Sequence, residues 1–309
     1  MTHGLHHVTA ISGPARRNLD FYTRTLGLRL VKKTVNFDDP GSYHLYYGNG
    51  EAEPGSLLTF FPWDHAAPGR VGIGETQETR FRVPEAAIGF WTHRLIAEGV
   101  PHEAPVRLFG ETVLAFRDPD GMRLSLVGVP RIEDEAAGET GTIPAEAAIR
   151  GLHGVSLLLR EVGATGAILT DVLGFADAGR EGTTHRFRAS GGIGGLVDIR
   201  EAGDFLPGRM GAGSVHHIAF RAADDAEQAA MRARLAGNHR LPTTEQQDRN
   251  YFRSLYFREP GGVLFEIATD IPGFTVDEPL ADLGSALKLP AQFEPFRHEI
   301  EARLPALAD

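Results

Sequence analysis

Apolar and polar positions alternate with a period of two over residues 5–11, then change to helical spacing over 14–25, where Leu19, Phe21, Tyr22 and Leu26 share a face. Leu26-Gly27-Leu28 closes that helix, and Gly27 suits a left-handed cap. Three further strands are predicted at 29–35, 43–47 and 56–61, separated by Gly, Pro and Asn turns. The order is βαβββ. It recurs with a strand at 77–83, a helix at 85–98 carrying Ile88, Trp91, Leu95 and Ile96 on its apolar face, and strands at 106–108, 111–116 and 122–127. A third unit opens with a strand at 152–159 and a helix at 162–173 that again closes in Leu173-Gly174-Phe175. A fourth has a strand at 215–221, a helix at 226–235 and strands at 252–257 and 263–269.

Units one and three share the short helix ending in Leu-Gly. Units two and four share a longer helix and a last turn of one kind, Asp118-Pro119-Asp120-Gly121 and Glu259-Pro260-Gly261-Gly262. This AB-AB pattern predicts an α+β protein of four βαβββ modules in two tandem domains. Residues 1–130 hold the first two modules and 149–270 the last two, with a Pro- and Glu-rich linker at 131–148. The segment 271–309, which holds Pro272, Pro279, Pro290 and Pro295 and a predicted helix at 293–304, reads as a wrapping tail. Two such modules side by side make a curved mixed sheet with helices on its convex face. The concave face is a preformed cup, the kind of place where a ligand binds.

Composition narrows the chemistry. The chain has 309 residues, 42% hydrophobic and 23% charged, as expected for a protein with a sizeable core. A formal charge of −10 without a Lys/Arg cluster argues against nucleic acid. No apolar run approaches the roughly 20 residues of a membrane span, and the N-terminus lacks a signal-peptide pattern. Cytoplasmic is the default expectation, and a homo-oligomer is left open. With no cysteine, any metal must sit on His and carboxylate. The Gly-rich run 191–195 reads as a loop between strands, since no phosphate-binding helix start follows it.

Strand parity selects the candidates. In Val215-His216-His217-Ile218-Ala219-Phe220 the large apolar Ile218 and Phe220 suit the helix side, which puts His217 in the cup and His216 with the packing face. In Leu5-His6-His7-Val8-Thr9 the same reasoning puts His7 and Thr9 in the cup. On the last strand Glu266 faces away from Val263, Phe265 and Ile267, and a cation would relieve the cost of burying it. His7, His217 and Glu266 thus form a two-His, one-carboxylate set. Three ligands on one face of a metal leave positions open for substrate and dioxygen, an arrangement typical of Fe(II) oxygenases that would also suit Mn(II). The matching slots elsewhere are Gly154, a position near Thr79, Ser125 and about Thr59, so one complete set survives, drawn from units one and four. The sheets of those two units should share one cup. Trp63 and Phe252 are candidate wall residues. His44, His65, His93, His102, His153, His185, His239 and His298 read as packing or surface residues.

The four modules and this ligand set resemble the vicinal oxygen chelate superfamily, which includes glyoxalase I, antibiotic-resistance proteins and type I extradiol dioxygenases. The closer resemblance is to hydroquinone- and chlorohydroquinone-cleaving dioxygenases. It is carried by Gly4-Leu5-His6-His7-Val8-Thr9, Val215-His216-His217-Ile218-Ala219-Phe220, Asp248-Arg249-Asn250-Tyr251-Phe252, the run from Tyr256 to Ala268, and Asp277-Glu278-Pro279-Leu280 in the tail. Catechol-cleaving relatives take their first His from the third unit, where this chain has Gly154. The resemblance implies Fe(II), a small aromatic substrate and O2, with the ring opening next to a hydroxyl-bearing carbon. It further implies His216, Tyr256 and Arg249 as catalytic residues, and His6, Thr9, Arg249, Tyr256 and Phe252 around the substrate. Two other functions compete. A glyoxalase-type isomerase or lyase would need a fourth ligand near Thr59 or Thr79, and a non-catalytic drug- or quinone-binding protein would not need an intact triad.

Overall fold

The computed structural model describes residues 4–138, 141 and 143–307. Residues 1–3 of the predicted first domain, 308 and 309 of the predicted tail and positions 139, 140 and 142 of the predicted linker lie outside the described residues. Each module has the βαβββ order. The first comprises β1 (Leu5–Ser12), α1 (Ala15–Asp20, continued by a π-helical turn Phe21–Thr25), β2 (Arg29–Asn36), β3 (Asp39–Gly48) and β4 (Leu57–Pro62). The second comprises β5 (Glu75–Pro84), α2 (Ile88–Ala97), β6 (Val106–Leu108), β7 (Glu111–Arg117) and β8 (Arg123–Val129). The third comprises β9 (Leu152–Leu159), α3 (Gly163–Asp171), β10 (Ala176–Glu181), β11 (Thr184–Arg188) and β12 (Leu196–Glu201). The fourth comprises β13 (Val215–Ala222), α4 (Asp225–His239), β14 (Gln247–Asp248), β15 (Arg253–Arg258) and β16 (Leu264–Thr269). The tail ends in α5 (Arg297–Arg303), inside the predicted helix.

Strand pairing joins the first module to the last and the two middle modules to each other. One eight-stranded sheet runs β14-β15-β16-β13-β1-β4-β3-β2 and the other β10-β11-β12-β9-β5-β8-β7-β6. Modules one and four therefore make the first cup and modules two and three the second, as the distribution of ligand residues requires. The contacts on the helix side run the other way. Tyr22, at the end of the first module's helix, donates its hydroxyl to Asp118 (3.0 Å) in the second module's last turn, whose carboxylate also accepts the Asp120 and Met122 amides. Glu259 does the same between modules three and four, accepting the Thr165 hydroxyl and the Gly261 and Val263 amides. Arg94 of α2 donates to the Thr25 and Arg24 carbonyls, and Arg234 of α4 to that of Val172. The acidic residue that opens each Pro-containing turn thus caps its own hairpin and ties it to the helix of the preceding module. Gly27 and Gly174, at φ +71° and +75°, occupy the left-handed conformation that ends each short helix.

The alternation predicted for the strands produces the core. Leu5, Val8, Phe60, Ile218, Phe220, Phe265 and Ile267 are buried in the large cluster that also holds Tyr22 and Trp91. The tail packs in the first cup itself. Phe274 stacks on Tyr251 (5.1 Å between centroids) and meets Tyr46 and Phe252, in a second cluster that includes Leu57 and Ala219. It is fastened there by Lys32, which is fully buried and donates to Asp277 (2.6 Å) and Glu278 (2.5 Å), while Tyr251 donates to the other Asp277 oxygen (2.9 Å). Among the described residues no helix is long and apolar enough to cross a membrane. Lys32→Ala would leave Glu278 buried without its cation. The expected loss is about 3 kcal/mol or more of unfolding free energy in chemical denaturation, and a loss below about 1 kcal/mol would show that the tail is held by its apolar contacts alone.

Candidate metal centre

β1, β13 and β16 are adjacent in the first sheet, and they bring His7, His217 and Glu266 together. One ligand atom from each lies within 4.8 Å of the others, and all three residues are buried. They form the one group of three such residues among those described. Glu266 is wholly buried. Its Oε1 accepts the Ser254 hydroxyl, while Oε2 lies 3.0 Å from His217 Nε2 and 3.6 Å from His7 Nε2 yet accepts no aligned hydrogen bond. Burial alone would raise this carboxyl, but the His7 and His217 rings outweigh it and hold Glu266 well below the usual carboxylate range. Burial also lowers His217, against the pull of Glu266. A buried anion with an orphaned oxygen facing two ring nitrogens is what a divalent cation satisfies. The residues present fit a metal.

The preceding histidines orient the rings. His6 Nδ1 lies 2.9 Å from His7 Nδ1, and His216 Nδ1 lies 2.8 Å from His217 Nδ1. With each Nδ1 engaged, each Nε2 is left for the centre, as outer-shell partners of ligating histidines do elsewhere. Two β-bulges make this arrangement. Leu5 pairs with Phe220 and His7 with Ala219, so His6 is an extra residue on β1. Thr9 pairs with His217 and Ala10 with Val215, so His216 is an extra residue on β13. The parity expectation for His216 is corrected here. It lies on the wall of the cavity, not among the helix-side residues, because the bulge breaks the period of two. Burial, followed by the effect of His217, pushes its ring down to about 4.

The centre lies in a cavity of about 380 Å³, within the usual range for a small-ligand site. Phe37, Phe61, Trp63, Phe252 and Leu264 supply apolar wall, and Arg249 and Tyr256 line it as well. Phe252 packs 5.0 Å from both the His6 and His7 rings. Tyr256 lies edge-on to His217 at 5.7 Å, and burial, then Glu266, raises its hydroxyl well above the ordinary tyrosine value. Arg249 is held by Gln247 (2.6 Å) and Asp38 (3.3 Å). Two of the candidates do not reach the cavity. His6 is buried against His7 and Phe252, and Thr9 is buried against Thr59 (2.8 Å). His44 and Tyr46, one of them read from sequence as packing, do line it. They share one face of β3, opposite the core residues Leu45 and Tyr47, so alternation carried the signal.

The second cup shows what the same frame becomes without a metal set. Gly154 pairs with Arg80, Ser156 with Glu78, and Arg80 with Ser125. Glu78, next to Thr79, therefore occupies the position of His217, since it pairs with Ser156 as His217 pairs with Thr9. Arg80 donates to Glu78 (2.6 Å) and to Asp198, and Arg186 donates to Asp198 (2.8 Å) and Glu111 (2.6 Å). Two guanidinium groups supply the positive charge here. A Cβ at Gly154 would come within 2.2 Å of the Leu196 carbonyl, so that slot admits no side chain without backbone movement.

Residues 4–126 match the family described as the Glyoxalase/Bleomycin resistance protein/Dioxygenase superfamily. MhqO of Bacillus subtilis (strain 168), assigned as a ring-cleaving dioxygenase, is 45% identical over 98% of this chain and 96% of its own length. The chlorohydroquinone/hydroquinone 1,2-dioxygenase of Sphingobium indicum is 34% identical over 96% of this chain and 94% of its own. The crystal structure of an assigned dioxygenase from Bacillus subtilis subsp. subtilis str. 168 superposes with a TM-score of 0.94 at 43% identity, covering 99% of this chain and 98% of that one. Glyoxalase I from Zea mays shares the fold, with a TM-score of 0.64 at 12% identity over 87% of this chain and 93% of its own. The chain belongs to the glyoxalase/bleomycin resistance protein/dioxygenase superfamily and, within it, to the family of ring-cleaving dioxygenases.

The second cup also predicts a pH dependence. Burial would raise Glu111, but His153 and Arg186 outweigh it and hold it down to about 2, from 4.5. A depressed carboxyl stabilises the fold above its unfolded value and loses that contribution as pH falls through the folded value. Glu111→Gln should therefore be less stable than the parent above about pH 4.5, with the gap closing toward pH 2 in urea titrations. A gap independent of pH would show that Glu111 is not a charged partner of Arg186.

Proposed function

We propose that this protein is an Fe(II)-dependent, extradiol-type dioxygenase that opens a hydroquinone-like ring with O2. The observation that carries the reading is the buried two-His, one-carboxylate set, with one orphaned Glu266 oxygen, in an aromatic-walled cavity sized for one ring. When bound, Fe(II) would lower the pKa of a substrate hydroxyl and offer open positions to the two substrates. Mn(II) is the other ion this donor set suits. His7, His217 and Glu266 would hold the ion, Ser254 fixes the carboxylate, and His6 and His216 fix the two rings. Phe61, Trp63 and Phe252 exclude water and cover the faces of the ring. Tyr256 holds a proton at its hydroxyl on the cavity wall, and His216, which lines the same cavity, serves as a proton acceptor. Arg249 supplies positive charge for the developing anion.

The glyoxalase-type reading fares less well on one observation. The position equivalent to Glu266 in module one is Thr59, as expected from sequence, and its hydroxyl is already bound to Thr9 and His44 at 2.8 Å each. A fourth carboxylate ligand is missing from that slot. The relatives named for ring cleavage span nearly the whole chain, which supports the dioxygenase reading.

The test is oxygen uptake by protein loaded anaerobically with Fe(II) or, separately, Mn(II), offered methylhydroquinone, chlorohydroquinone and a catechol panel. Uptake with a hydroquinone and one of the two ions is expected. No uptake across the panel would refute the reading. His217→Ala should lose the bound metal, with uptake falling about a hundredfold or more. Retained metal in that variant would refute the ligand assignment.

A further inference from the structure

The cavity contains a hydrogen-bonded chain that the proposed reaction does not use. Tyr46 hydroxyl lies 2.9 Å from His44 Nδ1, His44 Nε2 lies 2.8 Å from Thr59 Oγ1, and Thr59 Oγ1 lies 2.8 Å from Thr9 Oγ1. The chain runs from the cavity wall, at Tyr46 and His44, to a buried hydroxyl two residues beyond His7.

Its position is not arbitrary. The first sheet has an internal two-fold relation in which the second His of each pair, His7 and His217, correspond. On that relation Thr59, paired with Thr9, corresponds to Glu266, paired with Ala219. Tyr46 pairs with Thr59 as Tyr256 pairs with Glu266. Two residues before each tyrosine, His44 grips Thr59 as Ser254 grips Glu266. The cavity therefore presents two corresponding tyrosines on either side of the three ligand strands. Tyr256 lies beside Glu266, and Tyr46 lies beside Thr59, the corresponding slot that carries no metal ligand.

We propose that Tyr46, held by His44 and Thr59, binds the second ring oxygen of a para-dihydroxy aromatic substrate and so selects hydroquinones over monophenols. This rests on the reading of the site given above. A substrate held at the centre by one hydroxyl must place its opposite hydroxyl elsewhere in a cavity walled by Phe61, Trp63 and Phe252. A hydroxyl left there without a partner is costly. Tyr46 is almost fully buried, and its hydroxyl uses one hydrogen bond, to His44, of the three it can form. Either direction of the chain completes the match. If Tyr46 donates to His44 Nδ1, its oxygen accepts from the substrate hydroxyl. If His44 Nδ1 donates to Tyr46, the tyrosine proton is free for the substrate oxygen. A ring hydroxyl suits both directions and a methyl group suits neither.

The experiment compares hydroquinone with 4-methylphenol, which keeps one hydroxyl for the centre and replaces the other by a group of similar size. Binding is measured anaerobically in Zn(II)-loaded protein by quenching of Trp63 emission, so no turnover is needed. Oxygen uptake by the Fe(II) protein is measured in parallel. The parent should bind hydroquinone at least about tenfold more tightly than 4-methylphenol. Tyr46→Phe, which removes one oxygen from a buried ring, and Thr59→Val, which cuts the chain without touching the substrate, should bring that ratio below about threefold through loss of hydroquinone affinity. A parent that does not discriminate, or a Tyr46→Phe protein that keeps the full ratio, would overturn the proposal even where oxygen uptake stands. Discrimination that depends on Tyr46 in a protein without oxygen uptake would support the binding assignment and refute the dioxygenase reading instead.

Discussion

The first cup is arranged around one buried negative charge. Glu266 has no access to solvent, and only one of its oxygens is satisfied by the protein. Such a group is tolerated only beside a cation. The three strands, the two bulges and the paired histidines all place ring nitrogens around the unsatisfied oxygen. The second cup makes the same point from the opposite direction. There the equivalent frame carries Glu78 and Asp198, and the charge is met by Arg80 and Arg186 drawn from the chain itself. One cup is completed by its own side chains and the other calls for an ion from outside.

Much of this was legible in the sequence because it follows from local periodicity. The four modules, the Leu-Gly helix ends and the paired acidic turns all appear where the patterns of two and 3.6 change. The choice of His7, His217 and Glu266 used the same alternation. It also implied that modules one and four share a sheet, which the strand order confirms. What the patterns did not carry is register. A bulge adds a residue without leaving a mark in hydrophobicity, so alternation puts His216 on the wrong face. His44 was missed for a different reason. A single histidine on a strand is usually a packing residue, and only the strand pairing puts Tyr46 beside Thr59. Lys32 was invisible as a buried residue, because its carboxylate partners lie in the tail, about 245 positions away.

The two kinds of contact between modules form a closed circuit. Sheets join one to four and two to three, while helices and turns join one to two and three to four. Each module thus meets one neighbour through its sheet and a different one through its helix and turn.

This circuit has a consequence for how the chain is made. During synthesis the partner of one edge of β1, β4, follows it within the same module, but its other edge waits for β13, a partner roughly 210 residues later. The loop closure itself costs little extra, since that entropy grows only with the logarithm of length. The order of events is what changes: an unpaired edge carrying His7 persists until the fourth module is complete, and contacts of such long range form slowly. The second cup can close earlier, because β9 follows β5 far sooner in the chain than β13 follows β1. The cup that needs no ion is therefore finished while the other is still open, and the centre becomes able to take a metal only when the last strand is in place.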